Sequence, residues 1–266
     1  MSTDLLAPVR ARFDLPNEDP RKIFAVAVAL CLVCSVLVTA TAVTLRPLQE
    51  RNAAQALRRE VVQVSGLGGR GMDLDAAFRQ IETRLVDLDS GELVEAADPD
   101  TYSYRDAGND PARSSALVED PAGIRRRPDL MPVYLVRQQG RLRRVILPVY
   151  GQGLWSTMHG LLAVAPDGRT AKALTFYEQR ETAGLGSEVA SRKWLGQWTG
   201  KTLIAPDGEP VIAVAKGNVE PASPNADRRV DGLSGATLTS NGVTNLMQFW
   251  LGERGYGPFL ARLNAL

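Results

Sequence analysis

The stretch MPVYLVRQQGRLRRVILPVYG, residues 131–151, decides the architecture of this chain. Two runs rich in Val, Ile, Leu and Tyr flank Gln139-Gly140, a pattern typical of two β-strands joined by a short turn. The stretches HGLLAVAPDGRTAKALTFYEQ (159–179) and KTLIAPDGEPVIAVA (201–215) repeat this pattern around Pro-Asp-Gly. Proline presets φ, aspartate bonds nearby backbone and glycine accepts a positive φ. We therefore expect three strand pairs in an antiparallel sheet.

Helical segments lie on either side of the predicted strands. Apolar residues recur at spacings of three and four over 46–66 and Asp75–Val86, which predicts amphipathic helices, and 187–198 is also expected to be helical. A last helix has one apolar stripe, formed by Val243, Leu246, Met247, Trp250 and Leu251. Residues 97–128, rich in Asp, Pro, Gly, Ser and Arg, are expected to form a long surface loop. The fold class is α+β, an antiparallel sheet with packed helices.

One segment is apolar enough to cross a membrane. Ile23 to Leu45 carries no charged residue, and as a helix it spans ~34 Å against a hydrocarbon core of ~30 Å. The run is long for a cleaved signal peptide, although Ala40 and Ala42 keep that alternative open. We expect a tail over 1–22, a transmembrane helix over 23–45 and one domain over 46–266. Charges on the two flanks balance, so they do not decide the orientation.

Composition excludes several classes of protein. A formal net charge of +1 argues against a nucleic-acid binder. Two cysteines and one histidine are too few for a structural zinc site or a disulfide scaffold. The single histidine, His159, is expected to be structural, although a general-base role is conceivable for a histidine. No G-x-G-x-x-G follows a predicted strand, so we expect no NADH site in this chain.

The stretch DGLSGATLTSNGV, Asp231 to Val243, crowds glycines and hydroxyl groups before the last helix. The helix is expected to begin near Thr239, Ser240 or Asn241, which are all good N-cap residue types. Backbone N–H groups and partial positive charge at a helix start suit a phosphate, and small residues let a ligand approach the backbone. By the residues alone, a capped helix explains the stretch as well as a phosphate site does.

A resemblance favours the phosphate site. Asp231 to Thr239 resembles the flavinylation motif D-x-x-S-G-A-T-x-T, in which a flavin transferase attaches FMN through its phosphate to the final threonine, here Thr239. Gly153–Met158 (GLWSTM) and Glu181–Gly186 (ETAGLG) resemble two other signatures of the same family, with Ala183 where proline is common. On these three motifs the chain is similar to the FMN-binding NqrC/RnfG family, and within it to the members from Na⁺-translocating NADH:quinone reductases.

The resemblance implies a set of flavin-binding residues. It also implies that the substitution Thr239→Ala abolishes attachment of the FMN. The covalent link is a phosphoester on Thr239, with the phosphate near the N–H groups of Ser240 to Gly242. Asp231 either binds the metal of the transferase or ends a turn, and Trp155 either stacks on the ring or lies in the core. The other implied binding residues are Thr237, Ser234, Gly235, Ala236, Ser240, Thr182, Gly184 and Leu185.

The resemblance also implies a role. In this family the covalent FMN relays electrons from an iron–sulfur centre to a second covalent flavin in NqrB, while the complex exports Na⁺. The expected location is the bacterial inner membrane, single-pass, with the flavin domain periplasmic. The expected partners are NqrA, NqrB, NqrD, NqrE and NqrF, especially NqrB, NqrD and NqrE, together with the flavin transferase and membrane lipid, without nucleic acid. Two alternatives stay open: the RnfG protein of the Rnf complex, with the same flavin link, or a membrane-anchored adaptor without redox function.

Overall fold

Helix α1 runs without interruption over Pro20–Ser65 in the computed structural model of the chain, which describes residues 16–67, 73–99 and 101–263. The predicted apolar segment and the predicted helix that follows it are thus one helix, with Pro47 inside it. It is the one helix among the described residues that is long and apolar enough to cross a membrane. Of the predicted tail, residues 1–15 lie outside the described residues, and the helix already begins within its last three positions.

The chain divides into two compact units, Met1–Ala56 and Leu57–Leu266. The last turns of α1, from Leu57 onward, therefore belong to the second unit. The strands of the second unit are β1 (Ile81–Asp87), β2 (Leu93–Val94), β3 (Ser114–Ala116), β4 (Arg126–Pro128), β5 (Leu130–Gln138), β6 (Arg141–Gln152), β7 (Thr157–Val164), β8 (Ala171–Glu178), β9 (Ala213–Val214) and β10 (Arg229–Val230). Its further helices are α2 (Leu74–Phe78), α3 (Tyr104–Asn109), α4 (Arg192–Gly196), α5 (Thr237–Leu251) and α6 (Gly257–Ala261).

Six strands form one antiparallel sheet of order β2-β1-β5-β6-β7-β8. The hairpins predicted around Gln139-Gly140 and Pro166-Asp167-Gly168 are confirmed as β5–β6 and β7–β8. The pairs β3–β4, antiparallel, and β9–β10, parallel, lie outside this sheet. The predicted α+β class is confirmed.

The sheet is buried on both faces. Along β5, Met131, Val133 and Leu135 point into one core, whereas Tyr134 and Val136 point into another, as the period of two requires. The predicted apolar stripe of α5 fills the first core. The second core is covered by the last turns of α1, through Val61, Val62 and Val64.

Two hydrogen bonds tie the end of α5 and the turn after it to β6. Trp250 Nε1 donates to the Tyr150 carbonyl oxygen at 2.6 Å, and Tyr256 Oη donates to the Pro148 carbonyl oxygen at 2.8 Å. The first half of α5 also lies close to this strand, since a Cβ on Gly242 would stand 2.5 Å from the Gln152 carbonyl oxygen. The start of α5 is therefore held beside the loop that leaves β6.

The helix predicted over Asp75–Val86 is wrong for most of its length. Only Leu74–Phe78 is helical, and Ile81–Asp87 forms β1, which pairs along its whole length with β5. Apolar residues four apart, such as Ile81 and Leu85, lie on one side of a helix and also on one side of a strand. That spacing therefore does not distinguish the two structures, and pairing with β5 decides.

Two other expectations need correction. The predicted long loop over 97–128 contains α3, β3 and β4, and Ser103 Oγ caps α3 by accepting from the Asp106 N–H. The predicted strand pair over 201–215 keeps its turn but only one bridge, Ile204 with Pro210. Proline has no N–H to donate to a ladder, and Ala213–Val214 pairs with β10 instead. The predicted helix over 187–198 is present as a 3₁₀ turn followed by α4.

Candidate functional site

Three segments meet at the start of α5. They are the loop 153–156 between β6 and β7, the loop 179–185 after β8, and the first turn of α5. The side chain of Glu181 connects them. Its Oε2 accepts hydrogen bonds from Thr239 Oγ1 at 2.6 Å and from the Leu154 N–H at 3.1 Å, and its Oε1 accepts from the Trp155 N–H at 3.1 Å.

Glu181 is buried, with 8% of its surface exposed. A buried carboxylate needs hydrogen-bond donors to offset the loss of water. Here the donors come from α5 and from the loop 153–156, while the carboxylate belongs to the loop after β8. One side chain therefore fixes the relative position of all three segments.

The helix begins two to four residues earlier than predicted. Ala236 is the N-cap residue, without a side-chain cap hydrogen bond, and Thr237 is the first helical residue. The Ser240 N–H already bonds to the Ala236 carbonyl oxygen, so the prediction that Ser240 to Gly242 offer free N–H groups is wrong. A positive φ of 69° at Gly235 turns the chain before the expected cap residues. By helix geometry, the first-turn N–H groups without helical acceptors belong to residues 237–239.

The two threonines of this turn differ in access. Thr239 is fully buried, and its hydroxyl is hydrogen-bonded to Glu181. A Cβ on Gly186 would stand only 2.7 Å from Thr239 Oγ1, so the loop after β8 covers this hydroxyl closely. Thr237, in contrast, is exposed. The assignment of Thr239 as the attachment residue stays a prediction.

Exposed apolar side chains surround the first turn of α5. From residue 57 onward, five large apolar residues are exposed among those described, and four of them belong to the three segments of the site. These four are Leu154 (40%), Trp155 (68%), Leu185 (42%) and Leu238 (60%). The alternative of a core tryptophan at 155 is therefore wrong. A local group of exposed apolar side chains of this kind marks a binding surface.

Comparison with known proteins agrees with this placement. A family model described as an FMN-binding domain matches residues 153–252, a range that contains all three segments. The NqrC component of the Na⁺-translocating NADH-quinone reductase from Vibrio alginolyticus is 46% identical over 93% of this chain and 96% of its own length. The same component from Pseudomonas aeruginosa is 45% identical over 93% of this chain and 97% of its own length.

The chain belongs to the NqrC family. Crystal structures agree with the assignment: NqrC from Shewanella oneidensis is similar with a TM-score of 0.73 at 33% identity, over 80% of this chain and 98% of that one. The corresponding protein from Parabacteroides distasonis gives a TM-score of 0.62 at 25% identity, over 81% and 96%. An apolar N-terminal helix followed by an FMN-binding domain is thus the fold of this chain.

Other predicted residues of the NqrC flavin site lie in different surroundings. Ser234, Gly184 and Thr237 are exposed, and Gly235 approaches Leu185, since a Cβ on it would stand 2.9 Å from Leu185 Cδ2. Ala236 is buried beneath this turn.

Two predicted residues are occupied in holding the fold. Ser240 Oγ accepts from the Leu233 N–H at 3.1 Å, so this hydroxyl faces the chain before the helix. Asp231 Oδ1 accepts from the Val219 N–H at 2.7 Å, and the Asp231 carbonyl oxygen accepts from Trp194 Nε1. Of the two roles open for Asp231, these contacts fit the structural one.

Sequence reasoning missed Glu181, Gly186 and Leu238. Glu181 and Gly186 are the first and last residues of the ETAGLG signature, whereas the predicted binding residues lie between them. A single carboxylate in a signature otherwise made of small and apolar residues was the available signal for Glu181. Leu238 had a signal too, because a leucine beside the motif threonines lies outside the apolar stripe of α5.

These residues fit an FMN group. The phosphate needs a hydroxyl to esterify and hydrogen-bond donors beside it, and the uncapped first turn of α5, which contains Thr239 and Thr237, offers both. The ring needs apolar surface, which Trp155, Leu185 and Leu238 expose. Small residues at 234–236 leave room for the group to approach the backbone.

Proposed function

We propose that this chain is the electron-relay subunit of a Na⁺-translocating NADH:quinone reductase and carries FMN as a phosphoester at the start of α5. The observation that carries the proposal is the uncapped first turn of α5, which holds the motif threonines, with exposed apolar side chains on the segments around it. When bound, the flavin accepts and releases electrons one or two at a time at its ring.

The motif makes Thr239 the attachment residue of this proposal. Its hydroxyl lies in the first turn of α5, hydrogen-bonded to Glu181, and Thr237 offers a further, exposed hydroxyl in the same turn. The first-turn N–H groups next to it stabilise a phosphate through hydrogen bonds and the partial charge of the helix. Trp155, Leu185 and Leu238 shield the ring from water.

The wider assembly belongs to the same proposal. Helix α1 anchors the chain in the bacterial inner membrane, with residues 1–22 cytoplasmic and 46–266 periplasmic. No acidic residue lies within 23–45, so the ion path of the complex lies in the partner subunits, since intramembrane ionisable residues mark such paths. NqrB, NqrD and NqrE are the expected neighbours of this chain within a complex that also holds NqrA and NqrF, and a flavin transferase loads the FMN.

Flavin fluorescence on a denaturing gel tests the attachment. The full chain is expressed with a flavin transferase as wild type, Thr237→Ala and Thr239→Val, and the mass of each intact chain is measured. We expect covalent FMN in the wild type and in Thr237→Ala, and none in Thr239→Val. Valine keeps the shape of the buried threonine, so Thr239→Val removes the hydroxyl with little change of packing, and Thr237→Ala is the control in the same helical turn.

Each other result has a defined meaning. A Thr237→Ala chain without flavin, beside a labelled Thr239→Val chain, would move the attachment to Thr237. A wild-type chain without flavin, with a transferase that labels a control protein, would exclude the covalent relay. Oxidation of NADH by the purified chain alone would contradict a relay without an NADH site.

A further inference from the structure

We infer that the loop after β8 covers the attachment oxygen in the unloaded chain, that Glu181 holds this loop closed, and that the loop must open before FMN is attached. The inference rests on the proposed function, because it takes Thr239 as the attachment residue. Thr239 is fully buried, and its hydroxyl donates a hydrogen bond to Glu181 Oε2 at 2.6 Å. A hydroxyl enclosed in this way cannot attack a phosphorus atom that a second protein supplies.

Attachment needs space around Thr239 Oγ1. We take the donor to be a flavin dinucleotide, whose pyrophosphate is an activated phosphate. The bond between Oγ1 and the flavin-side phosphorus forms, the P–O bond of the pyrophosphate breaks, the nucleoside monophosphate leaves and the hydroxyl proton passes to water. Glu181 and Gly186 occupy the space that this attack requires, since a Cβ on Gly186 would stand 2.7 Å from Oγ1.

The covering segment is a small turn closed by its own hydrogen bonds. The N–H groups of Leu185 and Ser187 both donate to the Thr182 carbonyl oxygen at 3.1 Å, and the Gly184 N–H donates to Ser187 Oγ at 3.1 Å. Residues 182–185 are exposed. Such a turn can move as one piece, and a short exposed segment with few buried contacts opens at a small cost in free energy.

Only a few contacts hold this turn against α5. Its two flanking residues, Glu181 and Gly186, are buried. Between them, the Leu185 side chain lies beside Gly235, where a Cβ would stand 2.9 Å from Leu185 Cδ2. The hydrogen bond from Thr239 to Glu181 joins the turn to the attachment oxygen itself. Release of the Glu181 side chain therefore uncovers Thr239.

Three donors keep the Glu181 carboxylate in place. They are Thr239 Oγ1 and the N–H groups of Leu154 and Trp155. A carboxylate accepts at both oxygens, whereas a glutamine amide accepts at one and donates at the other. Glutamine at position 181 would turn an N–H group toward at least one of these donors. The substitution Glu181→Gln therefore weakens the closure while the side chain keeps its shape.

Attachment also removes the contact that closes the loop. The donor of this contact is the hydroxyl proton of Thr239. Once Oγ1 is esterified, it has no proton to donate to Glu181. The closed loop thus belongs to the unloaded chain, and the loaded chain lacks the hydrogen bond that holds it.

The test measures how fast the unloaded full chain, folded in detergent, receives FMN. A low concentration of flavin transferase is used with a flavin dinucleotide, and the mass of the intact chain is followed with time. The wild type is compared with Glu181→Gln and with Glu188→Gln, which makes the same charge change at an exposed position of the same segment. Hydrogen exchange of the Leu154 and Trp155 amides, measured without transferase, reports the closure directly.

We expect Glu181→Gln to load about 10-fold faster than the wild type, as the loss of one hydrogen bond to a charged group implies. The amides of Leu154 and Trp155 should exchange faster in this variant as well, because the carboxylate no longer accepts from both. Glu188→Gln should match the wild type in both measurements. Thermal unfolding shows that each variant is folded.

Equal or slower loading of Glu181→Gln would overturn the inference. So would a chain that loads only when denaturant has unfolded it, because opening of the loop would then not be the route. If Glu181→Gln does not fold, Gly153→Ala decides by the same criterion, since a Cβ there would stand 2.6 Å from Glu181 Oε1 and displace the carboxylate. A wild-type chain that receives no flavin, folded or unfolded, would instead count against the proposed function.

Discussion

Trp155 Nε1 donates a hydrogen bond of 3.0 Å to Thr182 Oγ1, so the two loops that flank the start of α5 are joined at their exposed sides as well as through buried Glu181. The indole is 68% exposed, yet its polar atom has a partner. Such a side chain presents a flat apolar face in a fixed orientation. Its expected role is therefore contact with a ligand rather than stability.

Replacement of this tryptophan should separate binding from folding. Trp155→Ala should lower the free energy of unfolding by no more than ~1 kcal/mol, the usual net value of one exposed hydrogen bond. Fully buried Trp250 is the matched comparison, because Trp250→Ala should cost ~3–5 kcal/mol. Denaturant unfolding measures both, and the visible spectrum of the attached flavin should change in Trp155→Ala. A large loss of stability with an unchanged flavin spectrum would show that Trp155 stabilises the fold and does not contact the flavin.

Gly186 should tolerate no side chain. An alanine Cβ there would stand 2.7 Å from Thr239 Oγ1 and 2.9 Å from Glu181 Cβ, and overpacking of this kind costs ~1–3 kcal/mol. Gly196, at the end of α4, is the control because a Cβ there meets nothing within 4 Å. Thermal unfolding should show Gly186→Ala less stable than the wild type and Gly196→Ala equal to it or slightly more stable. Equal stability of the two variants would mean that the loop after β8 is loosely packed.

Short-range sequence patterns predicted the hairpins and the last helix, because these elements depend mainly on residues near one another in the chain. The β5–β6 and β7–β8 hairpins follow from short apolar runs around a turn, and the stripe of α5 follows from its helical spacing. The strand β1 was not predicted, because the spacing of Ile81 and Leu85 fits both a helix and a strand. The choice between the two depends on pairing with β5, which is distant in the sequence.

The site shows the same limit. The motif located the start of α5, but the good N-cap residue types at 239–241 placed the helix boundary two to four residues late. The difference between exposed Thr237 and buried Thr239 depends on how the loop after β8 covers the first turn of α5. That contact joins residues far apart in the chain, so no spacing within the motif reveals it.

Labelling of single cysteines should determine the orientation of the chain. With Cys31 and Cys34 replaced by alanine, one new cysteine is placed at Val118, which is fully exposed in the second unit, or at Asn17, which precedes α1. A membrane-impermeant maleimide should label Val118→Cys in intact spheroplasts and Asn17→Cys only after the membrane is opened. The reverse pattern would place the flavin domain in the cytoplasm, and labelling of both positions would exclude a membrane-spanning helix.

His159 should make the folded chain sensitive to acid. Burial lowers the pKa of His159 to about 4, with Arg105 adding to the effect and Glu178 opposing it. The ring stacks on Tyr150, and Nδ1 lies 3.2 Å from Tyr104 Oη. In the unfolded chain the histidine pKa is ~6.5, so between these two values the unfolded state binds a proton that the folded state does not. Stability is therefore complete above about pH 6.5 and falls as the pH drops toward 4, by roughly 3 kcal/mol in total.

Thermal unfolding of the full chain in detergent, followed from about pH 7 to pH 4.5, checks this dependence. His159→Gln keeps a polar side chain but does not titrate, so the melting temperature of the variant should fall less over this range than that of the wild type. Carboxylates with lowered pKa values, such as Asp87 and Asp110, lose their contribution only at lower pH and are the same in both proteins. Parallel curves for the two proteins would show that His159 is protonated in the fold, which its burial against Tyr104 and Tyr150 opposes.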